Sequence, residues 1–257
     1  MLGRSILLLG TEPCTHNYYI TLAIADALRQ HPSVEKLVLA THGDAIHKFT
    51  TEHLNTFIAF GGCETHTDIL ARLCYLSELS ILWTTEDPYQ LAENVRQSTC
   101  FDVVFTNDKS SVSAYGQKAH HLPLAASALF QNFAVQADDN QYLYDLLFVG
   151  TAWPNRVRSL NRILSAFDDA LKVKLALPWN DFIGPPSLQD HEMLTDWRCG
   201  NRDFARFANR SRIVLTLPRH FSASSEVQAV GSTPPPRLFE VALAGGFQIV
   251  EIGRAHV

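Results

Sequence analysis

Charged residues recur where the sequence predicts the ends of buried strands, the edge at which parallel sheets hold their ligands. In the C-terminal half, three prolines precede a predicted helix whose apolar residues leave Arg237 and Glu240 as its only charges. A buried carboxylate needs a partner. Glu240 can pair with Arg237 at i,i+3 spacing, or it can accept hydrogen bonds from ligand hydroxyls beside a phosphate-holding helix start.

Two further arginines follow predicted strands of the same half. Gly150 and Thr151 end one strand and precede a helix start that carries Arg156, so backbone donors and a guanidinium can meet on one phosphate group. Arg219 follows another strand in the same way. A solvated surface arginine is the alternative at both positions. A sugar-nucleotide site requires arginines that bind the diphosphate and a carboxylate that binds the ribose hydroxyls.

The N-terminal half offers a different chemistry at a strand end. Glu86 and Asp87 follow a predicted strand over residues 80–83, where a carboxylate can take a proton from an acceptor hydroxyl. Helix capping by Asp87 ahead of Pro88 is the alternative. The chain has eleven histidines without H-E-x-x-H or C-x-x-C context, so we expect no metal site.

Composition limits the class of protein. The chain has 257 residues, of which 46% are hydrophobic and 18% charged, which is typical of a globular protein with room for two domains. A net charge of -5 argues against a nucleic-acid polymer or an anionic membrane as partner. No apolar run approaches the roughly 20 residues of a membrane span. Five scattered cysteines indicate free thiols in a reducing compartment, so we expect a cytoplasmic location.

Strands and helices alternate along the chain in two series, which predicts an α/β fold of two Rossmann-like, doubly wound parallel-sheet domains. The first domain is expected over residues 1–123, a linker over 124–144 and the second domain over 145–250. Neither series opens with G-x-G-x-x-G, and no G-x-x-x-x-G-K-[ST] is present, so dinucleotide oxidoreductases and P-loop proteins are disfavoured. Strands are predicted at residues 5–9, 34–40, 57–60, 80–83, 101–105, 118–122, 145–149, 173–177, 212–217 and 247–250.

Several motifs occur in an order that resembles the CgeB-type, spore-maturation-protein-like glycosyltransferases. They are Trp83-Thr-Thr-Glu-Asp-Pro88, Phe105-Thr-Asn-Asp-Lys-Ser-Ser111 with Tyr115-Gly116, Asp145-Leu-Leu-Phe-Val-Gly-Thr151, Asn155-Arg156 and Arg237-Leu-Phe-Glu-Val-Ala-Leu-Ala-Gly-Gly-Phe247. The resemblance implies a GT-B arrangement in which the first domain binds a hydroxyl acceptor and the second a nucleotide-diphosphate sugar, with no further cofactor and no essential metal. It implies that Glu240 binds the donor ribose, with Gly245, Gly246 and the arginines near the diphosphate.

The sequence departs from that family at two places. Related retaining enzymes often carry a glutamate eight positions before Glu240, where this chain has Ser232, so inversion and retention both stay open. Residues 251–257 look like the translation of a sequencing adapter, so we expect the native sequence to stop near Val250 and the second domain to be incomplete. A catalytically silent structural or surface-assembly protein and a sugar-nucleotide epimerase are the alternative functions. The sequence indicates no oligomeric state.

Overall fold

A computed structural model describes residues 3–13, 15, 17–61, 65–136, 138–167, 171–179, 186–188, 194–195, 198–221 and 229–251. The chain divides into two compact units, Met1–Leu124 and Ala125–Val257. Each unit contains one parallel sheet with helices on both faces, and each is described by itself below.

The first unit is built on six parallel strands in the order β2-β1-β3-β4-β5-β6. Its strands are β1 (Arg4–Leu9), β2 (Val34–Ala40), β3 (Thr56–Gly61), β4 (Leu79–Thr84), β5 (Val103–Thr106) and β6 (Ala119–His121). Its α-helices are α1 (Tyr18–Gln30), α2 (Ala45–Thr51), α3 (Thr67–Leu76) and α4 (Leu91–Gln97), and a 3-10 segment covers Lys109–Lys118. Leu7 of β1 pairs with Val38 of β2 on one side and Phe57 of β3 on the other, which sets the register of these three neighbouring strands.

Strand β1 shows why the first sheet needs helices on both faces. Its side chains alternate between the two faces of the sheet, and both sets are apolar. Leu7 and Leu9 enter a core with residues of α2 and α3, whereas Ile6 and Leu8 enter a second core with residues of α1. Leu7 and Leu8 are both fully buried, so neither face of this strand meets solvent.

The second unit is built on five parallel strands in the order β11-β10-β7-β8-β9. Its strands are β7 (Tyr144–Val149), β8 (Val173–Ala176), β9 (Leu194–Thr195), β10 (Ser211–Thr216) and β11 (Gln248–Val250), and its helices are α5 (Ala128–Gln131), α6 (Pro154–Leu164), α7 (Asn201–Asn209) and α8 (Pro236–Leu243). Phe148 packs with Leu160 of α6 on one face, while Leu147 packs with Phe204 of α7 and Val241 of α8 on the other.

The α/β fold of two Rossmann-like domains on parallel sheets is confirmed, and the ten predicted strands differ from the observed ones by no more than two residues at either end. Helix α2 is absent from the sequence prediction because only Ala45 and Phe49 of its seven residues are buried, too few to show a helical period. The sequence suggests a linker over residues 124–144, but all of these residues after Leu124 belong to the second unit, where α5 packs against α7 and α8.

Within the described part of the chain, no helix combines the length and the apolar character that crossing a lipid bilayer requires.

Candidate active site

Arg156 lies at the carboxyl edge of the second sheet, where it joins the ends of two strands. It belongs to the first turn of α6, directly after β7. Its Nε donates to the backbone oxygens of Leu217, at 3.0 Å, and Pro218, at 3.3 Å, and both follow β10. Its Nη1 donates to the Thr151 backbone oxygen at 3.2 Å. Half-buried and held by three carbonyls, this guanidinium has a fixed position at the strand ends.

Gly150 makes room for that guanidinium. A Cβ at this position would lie 3.2 Å from Arg156 Nη1 and 3.2 Å from Phe148 Cζ, both tighter than ordinary van der Waals contact. Gly150, Thr151 and Arg156 are therefore brought together as the sequence predicts, and they meet around the first turn of a helix whose initial N–H groups lack intrahelical acceptors.

Arg219 lies at the same edge and stacks on an aromatic pair. Its guanidinium carbon is 4.4 Å from the centroid of the Trp153 ring, and its Nε donates to the Phe221 backbone oxygen at 2.6 Å. The rings of Trp153 and Phe221 are stacked, with centroids 6.2 Å apart and planes at 10°. Trp153 precedes α6 directly, so Arg156 and Arg219 share one edge of one sheet.

Two buried polar atoms at this edge have no hydrogen-bond partner among the described residues. Asn155 is 6% exposed, and its Nδ2 donates to the Pro218 backbone oxygen at 3.0 Å, but its Oδ1 accepts nothing. His220 Nε2 is likewise buried and unpartnered. An unpaired buried polar atom is costly, so two of them beside two arginines point to a ligand that supplies the missing contacts.

Neither of these two residues is a site residue in the sequence prediction. Asn155 and His220 each stand next to a predicted arginine in the sequence, Arg156 and Arg219. Their common signal is position: Asn155 lies in the first turn of α6 and His220 follows β10, as expected for residues at the carboxyl edge of a parallel sheet.

Glu240 lies in the second turn of α8 and already has partners inside its own domain. Arg237 Nη1 is 3.3 Å from Glu240 Oε2, and Asn201 Nδ2 donates to Glu240 Oε1 at 3.3 Å. The Arg237 guanidinium also lies 3.8 Å from the centroid of the Phe204 ring. Glu240 is 1% exposed, so the i,i+3 ion pair that the spacing allows is present. Ribose binding by Glu240 stays a prediction.

Gly245 and Gly246 lie at the opposite end of α8. Gly245 has φ +72°, and its N–H donates to the Ala242 oxygen while that of Gly246 donates to the Val241 oxygen. This is the Schellman pattern that ends a helix. The eight residues of α8 place the glycines about 12 Å along the helix from its N-terminal turn. The structure therefore does not bring Gly245 and Gly246 together with the arginines.

These two glycines are explained by close packing, of Gly245 against the backbone at Val135 and of Gly246 against α7. A Cβ at Gly245 would lie 3.1 Å from Val135 Cα, and one at Gly246 would lie 3.0 Å from the Ala208 oxygen. Backbone atoms cannot give way as the end of a flexible side chain can. The sequence prediction that both glycines lie near a diphosphate is therefore without geometric support.

Asp87, the predicted acid–base residue of the first unit, is buried in a network of side chains. Its Oδ2 accepts hydrogen bonds from Thr84 Oγ1 at 2.7 Å, Thr106 Oγ1 at 2.6 Å and the Tyr115 hydroxyl at 2.7 Å, and its Oδ1 accepts one from Asn94 Nδ2 at 2.9 Å. Asp87 is 2% exposed. Burial, then the charge of Asp87, raises the pKa of Tyr115.

This environment is that of a structural carboxylate. The capping alternative is also not observed, because α4 begins at Leu91, with Gln90 and not Asp87 at its N-cap. Catalysis by Asp87 stays a prediction without geometric support, whereas the half-buried Glu86 stays a candidate. No group of His, Cys, Asp and Glu able to hold a metal ion occurs among the residues that the structure describes.

Comparison with known proteins agrees with this division into two units. Residues 131–256, within the second unit, match a family model described as glycosyl transferase-like. No curated protein is significantly similar in sequence to this chain. The class is therefore an α/β protein whose second unit is similar to a glycosyl transferase-like domain.

Solved structures similar to this chain share its fold at low sequence identity. The S. aureus MnaA–UDP co-structure is 12% identical, covers 95% of this chain and 91% of its own, and has a TM-score of 0.54. A putative UDP-N-acetylglucosamine 2-epimerase from Listeria monocytogenes is 12% identical, with coverages of 84% and 74% and a TM-score of 0.54. UDP-GlcNAc 2-epimerase from Neisseria meningitidis bound to UDP-GlcNAc is 10% identical, with coverages of 95% and 94% and a TM-score of 0.50. These likenesses show a GT-B-type fold.

Proposed function

We propose that this protein is a glycosyltransferase that moves a sugar from a nucleotide-diphosphate donor to a hydroxyl acceptor. The observation that carries the proposal is the carboxyl edge of the second sheet, where Arg156, Arg219 and the unpartnered atoms of Asn155 and His220 meet. The family match of the same domain supports sugar transfer. The CgeB-type assignment and a cytoplasmic location are parts of the proposal.

The charges at this edge suit a leaving diphosphate. Two guanidiniums and the first turn of α6 present positive charge where a nucleoside diphosphate gains negative charge as the glycosidic bond breaks. Arg156 is held by three carbonyls before any ligand arrives, so little reorganisation is needed during the reaction. This arrangement supplies electrostatic stabilisation from the protein itself, and we propose that the transfer needs no metal ion.

Calorimetric titration with UDP, GDP, ADP, CDP and dTDP tests the donor site. We expect at least one of them to bind, and to bind equally in the presence of EDTA. Arg219→Met should weaken that binding about tenfold or more, since it removes a charged hydrogen-bond donor. Arg206→Met is the matched control, because Arg206 is exposed on α7 and its guanidinium lies 3.6 Å from the exposed carboxylate of Asp203. Failure of all five nucleotides to bind would contradict the proposal.

A sugar-nucleotide epimerase is the second candidate, because the similar structures include UDP-GlcNAc 2-epimerase from Neisseria meningitidis and a putative UDP-N-acetylglucosamine 2-epimerase from Listeria monocytogenes. Product analysis separates the two functions. A transferase releases nucleoside diphosphate at a rate that depends on the acceptor, whereas a 2-epimerase incubated with UDP-GlcNAc alone would invert the sugar at C2. Appearance of the C2 epimer without added acceptor would favour the epimerase.

A further inference from the structure

Three polar side chains of the first unit meet at the carboxyl ends of three neighbouring strands. Glu12 follows β1, His42 follows β2 and Thr65 follows β3, and these strands are adjacent in the order β2-β1-β3. The three residues are far apart in sequence, and none of them belongs to a motif that the sequence singles out. Their meeting depends on the parallel arrangement of the strands.

The three side chains form one continuous chain of polar contacts. Glu12 Oε1 accepts a hydrogen bond from the His42 backbone N–H at 2.9 Å and lies 3.4 Å from His42 Nδ1. On the other side of the ring, His42 Nε2 lies 2.8 Å from Thr65 Oγ1. The carboxylate thus accepts a hydrogen bond from the backbone of His42 and lies within ion-pair distance of its ring, so the imidazole lies between a carboxylate and a hydroxyl.

Accessibility differs along this chain in a way that suits proton transfer. The side chains of His42 and Glu12 are 24% and 29% exposed, and Thr65 keeps 7% of its surface exposed, so a small molecule can reach this group and the Thr65 hydroxyl is oriented by its contact with His42. A hydroxyl, an imidazole and an orienting carboxylate in this order are the elements of assisted proton removal in enzymes. An ordinary surface ion pair between a histidine and a glutamate does not require a hydroxyl such as that of Thr65 on the other side of the imidazole.

We propose that Glu12, His42 and Thr65 form the proton-accepting relay of the acceptor site, an inference that rests on the proposed glycosyltransferase function. The acceptor hydroxyl gives its proton to Thr65 Oγ1 as the Thr65 proton passes to His42 Nε2. The acceptor oxygen then bonds to the anomeric carbon, and the bond from that carbon to the diphosphate breaks, so the diphosphate leaves with the electron pair. The Glu12 carboxylate compensates the positive charge formed on His42.

The roles of the three residues differ. Thr65 touches the acceptor hydroxyl and His42 receives the proton, so both are catalytic residues, whereas Glu12 is a positioning residue. Glu12 fixes the tautomer with hydrogen on Nδ1, which leaves the Nε2 lone pair directed at Thr65. Glu86, which the sequence predicts together with Asp87 as an acid–base candidate, is the rival in the same unit.

Nitrogen-15 NMR of the histidine rings in the full chain tests the positioning role without any substrate. We expect His42 to be protonated at Nδ1 and unprotonated at Nε2 when neutral, and we expect Glu12→Gln to abolish this preference. Thr65→Ser should retain the hydrogen bond to Nε2 and Thr65→Val should remove it. A neutral His42 protonated at Nε2 in the wild type would overturn the relay.

Release of UDP from UDP-GlcNAc and UDP-glucose, with methyl glycosides as acceptors, tests the catalytic role. His42→Gln and Thr65→Val should lower kcat about 100-fold or more, while Thr65→Ser retains most activity and calorimetric binding of UDP is unchanged. His47→Gln is the matched control, because His47 is exposed on α2, and Glu86→Gln should lower kcat less than His42→Gln.

The outcomes separate this inference from the proposed function. Equal UDP release by the wild type and His42→Gln, in a protein that binds UDP, would overturn the relay and leave the donor site standing. A Glu86→Gln defect larger than that of His42→Gln would also overturn it. A wild type that binds no nucleotide would overturn the proposed function and the relay together.

Discussion

The Nε of Arg156 and the backbone oxygen of Leu217 are 3.0 Å apart although 61 positions separate the two residues in the chain. This hydrogen bond joins the end of β7 to the end of β10, the two strands at the centre of the proposed donor site. The geometry of the site and the stability of the second domain therefore depend on the same guanidinium.

Arg156→Lys should lower both the free energy of unfolding and the affinity for nucleotide. An ammonium group cannot reproduce the fork that reaches three carbonyls, so we expect a loss of about 1–3 kcal/mol in urea unfolding. Arg158→Lys, two residues further along α6 and exposed, should change unfolding by less than about 0.5 kcal/mol. Equal stabilities of the two variants would contradict the role assigned to Arg156.

Glu240→Gln should destabilise the second domain because it leaves the Arg237 guanidinium without its carboxylate. Arg237 is 30% exposed and can recover water, so we expect about 1–3 kcal/mol, below the cost of breaking a fully buried pair. A double-mutant cycle with Arg237→Met measures the coupling in urea unfolding. A coupling free energy of zero would show that the ion pair between Arg237 and Glu240 contributes nothing to stability. Calorimetry on the same variants measures any separate effect on nucleotide binding.

Gly245→Ala should lower stability without changing nucleotide affinity. The φ of +72° and the 3.1 Å approach to Val135 Cα make a side chain strained there, so we expect a loss of at least about 1 kcal/mol. Gly43→Ala is the matched control, since no atom lies within 4 Å of its added Cβ. Weakened nucleotide binding with unchanged stability in Gly245→Ala would restore the sequence-based assignment of this glycine to the diphosphate.

Tyr115 should make stability fall at alkaline pH. Burial, then the charge of Asp87, raises the pKa of its phenol above the ordinary value near 10. The unfolded chain releases this proton as pH rises through about 10 while the folded chain retains it. The protonated phenol of Tyr115 therefore makes its full contribution to the free energy of unfolding below about pH 10. Above that pH the contribution is lost, at up to about 1.4 kcal/mol per pH unit.

Unfolding of Tyr115→Phe, measured from pH 8 to 11, should show a shallower alkaline decline than the wild type. Tyr75→Phe provides the control, because Tyr75 is 81% exposed and should leave the slope unchanged. An identical slope in wild type and Tyr115→Phe would contradict the prediction.

Cys100 should be an unusually reactive thiol. Cys74 Sγ lies 3.4 Å from Cys100 Sγ, and the hydrogen bond that it donates lowers the pKa of Cys100 to about 7 while the pKa of Cys74 is raised. Burial raises the pKa of Cys199 to about 11. At pH 8, iodoacetamide should therefore label Cys100 faster than Cys199, as measured by peptide mass spectrometry.

Replacement of the donor gives the control for this reactivity. Cys74→Ala removes the hydrogen bond and should move the pH midpoint of Cys100 labelling up towards the ordinary thiol value. If Cys74→Ala leaves the pH midpoint of Cys100 labelling unchanged, Cys74 is not the cause of the lowered pKa of Cys100.

The sequence by itself determined the architecture, because local patterns carry it. The apolar run that includes Leu7 and Leu8 has to be covered on both faces, and strands of this kind alternating with helices specify parallel sheets. Position after a strand was also enough to place Arg156 and Arg219 at one edge, since parallel strands all end on the same side.

Only the tertiary structure decided which polar groups satisfy one another. It gives Asp87 four side-chain donors and separates Gly245 from the arginines by the length of α8. It also brings together Glu12, His42 and Thr65, which no local motif connects. Hydrogen bonds between distant residues depend on strand order and register, and these are set by packing across the whole domain rather than by spacing along the chain.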